Sequence, residues 1–269
     1  SMENMEWRKF LIPYEQAVEE LKVKFKSIRN ELRTIGEYSP IEFVTGRVKK
    51  LSSILEKAKK LEIAPEDIGE KIEDIAGIRI MCQFVEDIYT VVDYIRDRDG
   101  QDLEIVLEKD YINNFKESGY RSYHMVIKYT IHTALGPKDI LAEIQIRTLA
   151  MNFWAIIEHS LKYKYEQKIP PHIIDRLKRA ADAASKLDRE MSEIRHEIRQ
   201  AQKYFEARSM VVSNILQGIR SLYISGRENE ANKYQQRFYK LWEQGDTLEL
   251  KRLNKEINML IEKHGAYDE

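Results

Sequence analysis

The chain has 269 residues, 43% hydrophobic and 33% charged, enough for one large domain or for a core with an appendage. Its 44 basic and 45 acidic residues nearly cancel, so no chain-wide positive field draws nucleic acid and any basic site must be local. The single cysteine, Cys82, excludes an internal disulfide framework and a cysteine-rich zinc site.

Residues 5 to 34 read as a helix, with Leu21, Phe25, Ile28 and Leu32 on one face and Lys22, Lys26, Arg29 and Arg33 on another. Ser39 and Pro40 suit the cap and first turn of a second helix, expected to run to about Glu62 and to be stopped by Pro65. The period then changes. Ile78, Ile80, Cys82 and Phe84 alternate as in a buried strand, which makes Cys82 a buried thiol. A helix over residues 86 to 97, a strand over 103 to 107 and a loop over 108 to 119 follow. Strands at 122 to 130 and 139 to 148 and a helix at 149 to 165 complete the middle of the chain. This order predicts an α/β chain of the α+β type, with a mixed central sheet of about five strands flanked by helices.

From Pro170 onward the pattern is helical. Ala180, Ala184, Leu187, Met191, Ile194, Ile198, Ala201 and Phe205 form a heptad seam that calls for a partner helix. Gly226 and Gly245 punctuate three further helical segments, one carrying the stripe Ala231, Tyr234, Phe238 and Leu241, another Leu250, Leu253, Ile257 and Leu260. The expected organisation is an N-terminal helix (1–38), a catalytic core (39–166), a heptad helix serving oligomerisation (167–208) and a helical extension of unassigned role (209–269). There is no long apolar run and no signal peptide, so the expectation is a cytoplasmic protein without a membrane partner.

Four pieces could carry chemistry. On a helix, Lys49, Ser53 and Lys57 would stack on one face with Arg47 ahead of them. Point charges, a hydroxyl and a planar cation suit a polyphosphate and its base, although a solvated basic face would look the same. Asp74 precedes a buried strand, and Gly77 lets the backbone pass close to a ligand. Glu143, Gln145 and Arg147 share a strand face opposite Ile144 and Ile146, costly unless that face is wet or functional. Tyr120, Ser122 and His124 would share another, where a tyrosine could stack on a base and a histidine donate to a phosphate. Asp74 and Glu143 together could hold Mg²⁺, which favours carboxylates plus substrate phosphates. A two-nucleotide phosphoryl-type transfer needs this kind of positioning and charge neutralisation.

Arg47-x-Lys49-x-x-x-Ser53-x-x-x-Lys57, Asp74-Ile-Ala-Gly-Ile-Arg79, Lys109-Asp-Tyr-Ile, Gly119-Tyr-Arg-Ser-Tyr-His124 and Glu143-Ile-Gln-Ile-Arg-Thr148 occur in that order. Together they resemble the synthetase domain of RelA/SpoT proteins and small alarmone synthetases, the RelQ type above all, over residues 7 to about 205. The resemblance implies a nucleotidyltransferase-like fold and a GTP/GDP diphosphokinase that moves the pyrophosphoryl group of ATP to the 3′-hydroxyl of GDP or GTP. It implies that Arg47 and Arg79 sandwich adenine, that Lys49, Ser53 and Lys57 hold the ATP phosphates, and that Asp74 and Glu143 bind Mg²⁺. Glu143 would also help deprotonate the acceptor, Tyr120 would stack on guanine, and Lys109, Lys116, His124 and Gln145 would fix the acceptor nucleotide. It further implies a homotetramer with an alarmone cleft between subunits, matched here by Lys22, Lys26, Arg29, Glu42, Phe43, Thr45 and Asn152. Single-stranded RNA is a further candidate partner.

The His-Asp signature of the family's hydrolase domain does not occur in the sequence, so the expectation is synthesis without hydrolysis. Two rivals remain at this level: pyrophosphorylation of the tRNA 3′ end, as in toxin relatives, and a non-catalytic nucleotide- or RNA-binding regulator. Near-neutral charge counts against the first and the paired carboxylates against the second. A P-loop ATPase fails for want of a G-x-x-x-x-G-K-[ST] run.

Overall fold

The computed structural model describes residues 2–165 and 168–264. Its elements are α1 (Met2–Thr34), β1 (Phe43–Val48), α2 (Leu51–Lys60), α3 (Ile68–Lys71), β2 (Ala76–Cys82), α4 (Val85–Arg96), β3 (Glu104–Asp110), β4 (Tyr123–Thr133) and β5 (Gly136–Thr148). Then come α5 (Leu149–Lys164), α6 (Pro171–Ile224), α7 (Glu228–Gln244) and α8 (Thr247–Lys263). The chain divides into two compact units, 1–193 and 194–269.

In the first unit a five-stranded mixed sheet runs in the order β1-β2-β5-β4-β3, with β2 and β5 parallel and the other pairs antiparallel. Alternation along each strand separates its two faces. Val44, Ile78, Ile80, Met125, Ile127, Ile144 and Ile146 pack beneath Leu21 and Phe25 of α1 and Ile88, Val91 and Ile95 of α4. Gly46 brings α1 close to β1: a Cβ there would lie 2.8 Å from Val18 Cγ1 and 2.9 Å from Ile78 Cδ1. Cys82 is fully buried, and burial pushes its thiol pKa up.

The expected helix from Ser39 to Glu62 is not formed as one element. Ser39 Oγ closes a turn on Ile41, β1 follows, and the helix begins only at Leu51. Phe43, Val44, Thr45 and Val48 favour a pleated surface, and β2 supplies the partner that a local reading lacks. β3 also runs on to Asp110, so Lys109 belongs to a strand and not to the expected loop.

Within the first unit, the buried face of α6 is not the heptad seam. Ala181 and Asp188 are buried, whereas Leu187 and Met191 stay 51% and 41% exposed. Trp154 Nε1 donates to Leu177 O at 2.8 Å, and Thr148 Oγ1 donates to Asp188 Oδ2 at 2.8 Å. The boundary expected between residues 166 and 167 lies outside the described residues, and α6 continues unbroken past residue 208.

In the second unit, Ile215, Ile219, Leu222, Ala231, Phe238, Leu250, Leu253, Ile257 and Ile261 form a separate core. Gly245 ends α7 in the left-handed conformation (φ 70°), and Asp246 caps α8 by accepting from Glu249 N. Among the described residues no helix is long and apolar enough to cross a membrane.

Burial pushes the Asp188 pKa up from its ordinary 3.8 to about 6, against the Thr148 hydrogen bond and the Arg121 charge, which pull it down. The folded chain therefore binds this proton more tightly than the unfolded chain, and the stability it contributes is lost as pH rises through about 6. Asp188→Asn keeps the acceptor for Thr148 and removes the titration. Urea denaturation from pH 4 to 8 is expected to show the variant gaining about 1–3 kcal/mol on the parent as pH rises.

Candidate active site

Strand register builds the site. One row across the sheet is Thr45, Arg79, Gln145, His124 and Lys109; the next holds Arg47, Gly77 and Glu143. These side chains lie on the face opposite the buried isoleucines. Because Gly77 stands between Arg47 and Glu143, the second row has a gap in it. Thr45, Gly46, Arg47, Asp74, Gly77, Ile78, Arg79, Glu143 and Gln145 line the resulting cleft of about 260 Å³. A Cβ on Gly77 would find nothing nearer than the Arg47 carbonyl at 3.8 Å, so the glycine keeps space open in the cleft and is not demanded by packing.

Asp74 sits at the entrance to β2. Lys49 Nζ donates to its Oδ2 at 3.0 Å and Lys57 Nζ to its Oδ1 at 2.9 Å. Burial alone would raise the Asp74 pKa, but the hydrogen bonds and charges of Lys57 and Lys49 outweigh it and hold the carboxyl below its ordinary range. The two lysines thus converge on Asp74, but the expected stack on one helix face is not formed: only Lys57 is within the helix, and Lys49 stands ahead of α2, its backbone N–H bonded to Ile75 O. Ser53 lies half-buried in the first turn of α2.

Glu143 has the opposite balance. Burial raises its pKa, the Asp74 charge adds to the rise, and a hydrogen bond from Gln145 (2.6 Å) opposes it. A chain of contacts leads outward from Glu143. Arg79 Nε donates to Gln145 Oε1 at 3.2 Å, Arg147 Nη2 donates to the same oxygen at 2.8 Å, and Arg147 Nη2 also reaches the Tyr120 hydroxyl at 2.7 Å. The Tyr120 hydroxyl in turn meets His124 Nε2 at 2.7 Å. Burial, with the charges of Arg147, Lys116 and Lys109, pushes the His124 pKa down to about 3. Its approach to Glu143 at 3.9 Å is therefore not an ion pair at neutral pH. Burial together with Arg147 and Arg47 lowers the Arg79 pKa as well, the signature of crowded cations.

Tyr120 belongs to an aromatic cluster. Its ring meets His124 edge-on at 5.6 Å and Tyr111 at 6.2 Å, while Lys116 Nζ lies 4.8 Å from the Tyr111 centroid and 5.3 Å from that of Tyr120. Lys109 is exposed beside His124 in the register.

The remaining predicted residues divide. Arg29 on α1 donates to Glu42 O at 2.9 Å, and Arg33 and Gln83 reach the Glu42 carboxylate at 3.9 and 2.9 Å. Lys22, paired with Glu19, and Lys26 lie half-buried on the same helix; Phe43 and Thr45 are exposed on β1. Asn152 is on α5, where its Oδ1 accepts from Arg147 Nη1 at 3.2 Å. Arg147 is the residue that the sequence reading left without a role. Its alternation with Glu143 and Gln145 was visible, but its burial (3% exposed) was not.

A family model described as a region found in RelA / SpoT proteins matches residues 46–168. The GTP pyrophosphokinase YjbM of Bacillus subtilis (strain 168) is 56% identical over 204 residues, covering 76% of this chain and 95% of that protein. The chain belongs to the RelA/SpoT family. A structure of the small alarmone synthetase 1 from Bacillus subtilis bound to its product pppGpp matches with a TM-score of 0.69 and 57% identity, over 72% of this chain and 98% of that one. The same synthetase bound to AMPCPP matches with a TM-score of 0.64 and 52% identity, again over 72% and 98%. About a quarter of this chain thus has no counterpart in these relatives.

Replacing both Lys49 and Lys57 with methionine leaves Asp74 its burial without its cations. Its pKa is then expected to move from below the ordinary carboxylate range to above it. Carboxyl-carbon NMR titration of parent and variant measures the shift; an unmoved Asp74 would contradict this account of the pair.

Proposed function

We propose that this chain is a small alarmone synthetase, transferring the pyrophosphoryl group of ATP to the 3′-hydroxyl of GDP or GTP to give ppGpp or pppGpp and AMP. One observation carries the reading: two carboxylates with opposed pKa shifts, Asp74 and Glu143, share a cleft with Arg47 and Arg79, and Lys49 and Lys57 both bond Asp74. The likeness to a GTP pyrophosphokinase over 95% of its length supports the reaction class.

Arg47, across from Gly77, and Arg79, two residues along β2 from it, offer planar cations in the cleft, suited to the adenine. Lys49, Ser53 and Lys57 suit its phosphates. Tyr120 offers a ring for guanine; Lys116 and His124 touch it, and Lys109 and Gln145, the strand neighbours of His124, add polar groups for the rest of the acceptor. His124, neutral at physiological pH, is an uncharged partner for the acceptor. The 3′-oxygen attacks the β-phosphorus, the bond from that phosphorus to the oxygen bridging to the α-phosphate breaks, and AMP departs with that oxygen. The hydroxyl proton passes to the Glu143 carboxylate, whose raised pKa makes it a better acceptor than an ordinary glutamate.

Asp74 and Glu143 are the residues for Mg²⁺. No group of three or more His, Cys, Asp or Glu that could hold a metal occurs among the described residues, but Mg²⁺ needs only one or two carboxylates when phosphates complete its shell. The Asp74 charge that raises the Glu143 pKa is a repulsion a divalent cation relieves, so the pair fits the ion. Bound there, Mg²⁺ would neutralise charge on the transferred phosphates.

The same reading makes the protein a cytoplasmic homotetramer that responds to its own product through Lys22, Lys26, Arg29, Glu42, Phe43, Thr45 and Asn152. The cationic side of α1 beside the β1 edge supports an anionic ligand there. Single-stranded RNA is a further candidate effector.

Incubation with Mg²⁺, ATP and GDP or GTP, resolved by ion-exchange chromatography, is expected to yield AMP and ppGpp or pppGpp in equal amounts. Glu143→Gln should lower the rate by about 100-fold or more. Intact nucleotides throughout would overturn the reading, and tRNA would become the next acceptor to try. Gly77→Val fills the gap in the cleft, at a position where a Cβ meets nothing nearer than 3.8 Å. It is expected to keep the parent's denaturation midpoint while weakening binding of a non-hydrolysable ATP analogue by roughly tenfold or more, a loss of about 1.4 kcal/mol measured by calorimetry.

A further inference from the structure

We propose that Arg147 is a positioning residue that locks the acceptor's base platform and the proton acceptor into one geometry. The inference rests on the synthetase reading above. Arg147 is 3% exposed, and a guanidinium at that depth ordinarily has a carboxylate beside it. Among the described residues its acceptors are all neutral: the Tyr120 hydroxyl at 2.7 Å, Gln145 Oε1 at 2.8 Å, Asn152 Oδ1 at 3.2 Å and Ser122 Oγ at 3.3 Å. Its Cζ also lies 5.3 Å from the centre of the Tyr120 ring. A buried cation without an anion is an expensive way to hold a sheet together, because hydrophobic residues would serve as well.

Its contacts indicate its use. The Tyr120 ring cannot swing while its hydroxyl is held between Arg147 Nη2 and His124 Nε2. Gln145 is oriented in turn. With its oxygen taken by Arg147 and Arg79, its amide nitrogen points to Glu143 Oε1 at 2.6 Å. One planar fork therefore fixes the aromatic ring on which the acceptor base would stack and the carboxylate that would take the acceptor's proton. Lysine cannot replace it, since an ammonium lacks the rigid spread of donors that reaches four acceptors at once. Among the described residues the ATP-facing Lys49, Lys57, Asp74 and Arg47 have no hydrogen bond to Arg147, and Arg79 meets it only through the shared Gln145 oxygen, so the larger effect should fall on the acceptor side.

The test compares Arg147→Lys and Tyr120→Phe with the parent in steady-state synthesis, varying ATP and GDP separately. Tyr120→Phe keeps the ring and the fold and removes only the hydroxyl that Arg147 grips. Both variants are expected to raise KM for GDP by roughly tenfold or more and to lower kcat, while affinity for a non-hydrolysable ATP analogue changes less than about twofold. The double variant should lose no more than the worse single one, because both break the same contact. Equal losses toward ATP and GDP, unchanged kinetics in Tyr120→Phe, or additive losses in the double variant would overturn the proposal. Absence of product from the parent protein would instead overturn the synthetase reading, and this inference with it.

Discussion

The registration of β5 between its parallel neighbour β2 and its antiparallel neighbour β4 governs the rest of the structure. Side chains alternate along a strand, so one register puts Ile144 and Ile146 into the core and Glu143, Gln145 and Arg147 on the other face. A slip of one residue against either neighbour would bury a carboxylate under α1 and α4 and expose the isoleucines. The same register sets Gln145 beside Arg79 on one side and beside His124 on the other, and it leaves Gly77 opposite Glu143. The cleft is thus a consequence of strand pairing, with a glycine at the position where any other side chain would fill it.

Charge is the second constraint. The polar face carries several guanidinium and ammonium groups around two carboxylates, and the balance is local, not averaged over the cleft. Asp74 has two lysines of its own and is held ionised. Glu143 has a neutral amide for its partner and feels the Asp74 charge, so its proton affinity rises. Two carboxylates in one cleft are thereby set to different tasks by their neighbours. Burial, together with the cations that outnumber them, lowers the proton affinity of Arg79 and keeps His124 neutral, and those cations leave the cleft electrostatically suited to polyanions.

Much of this was legible beforehand because it is written in short-range patterns. Two-residue alternation exposed β5 and its polar face, helical spacing exposed α1, and Gly226 and Gly245 marked the ends of helices that the second unit does form. The errors arose where partners are distant in sequence. Ser39 and Pro40, read as a cap and a first turn, drew a helix through residues 43 to 48, which instead pair with β2 some thirty residues on. Lys49 and Lys57 still converge, because Asp74 gathers them from a strand exit and a helix. Arg147 looked like one more residue of a wet face. Ser122, Tyr120 and Asn152 close over it in the fold, and no local pattern announces that.

The role of α6 follows from the same distinction between pattern and contact. Its heptad seam was its loudest sequence feature, yet Leu187 and Met191 remain exposed and the quieter face does the docking. Ala181 is small where Gly119 turns with φ 99°, and a Cβ on Gly119 would lie 2.6 Å from Ala181 Cβ. Arg121, two residues on, donates to Gly119 O at 3.1 Å and to Asp182 of α6 at 3.3 Å. Tyr120 lies between these anchored residues and packs against Trp154, Ala155 and Ala181. The first turns of α6 are therefore part of the seat of the base platform, and a division that ended the catalytic core near residue 166 would cut that seat away from the ring it supports.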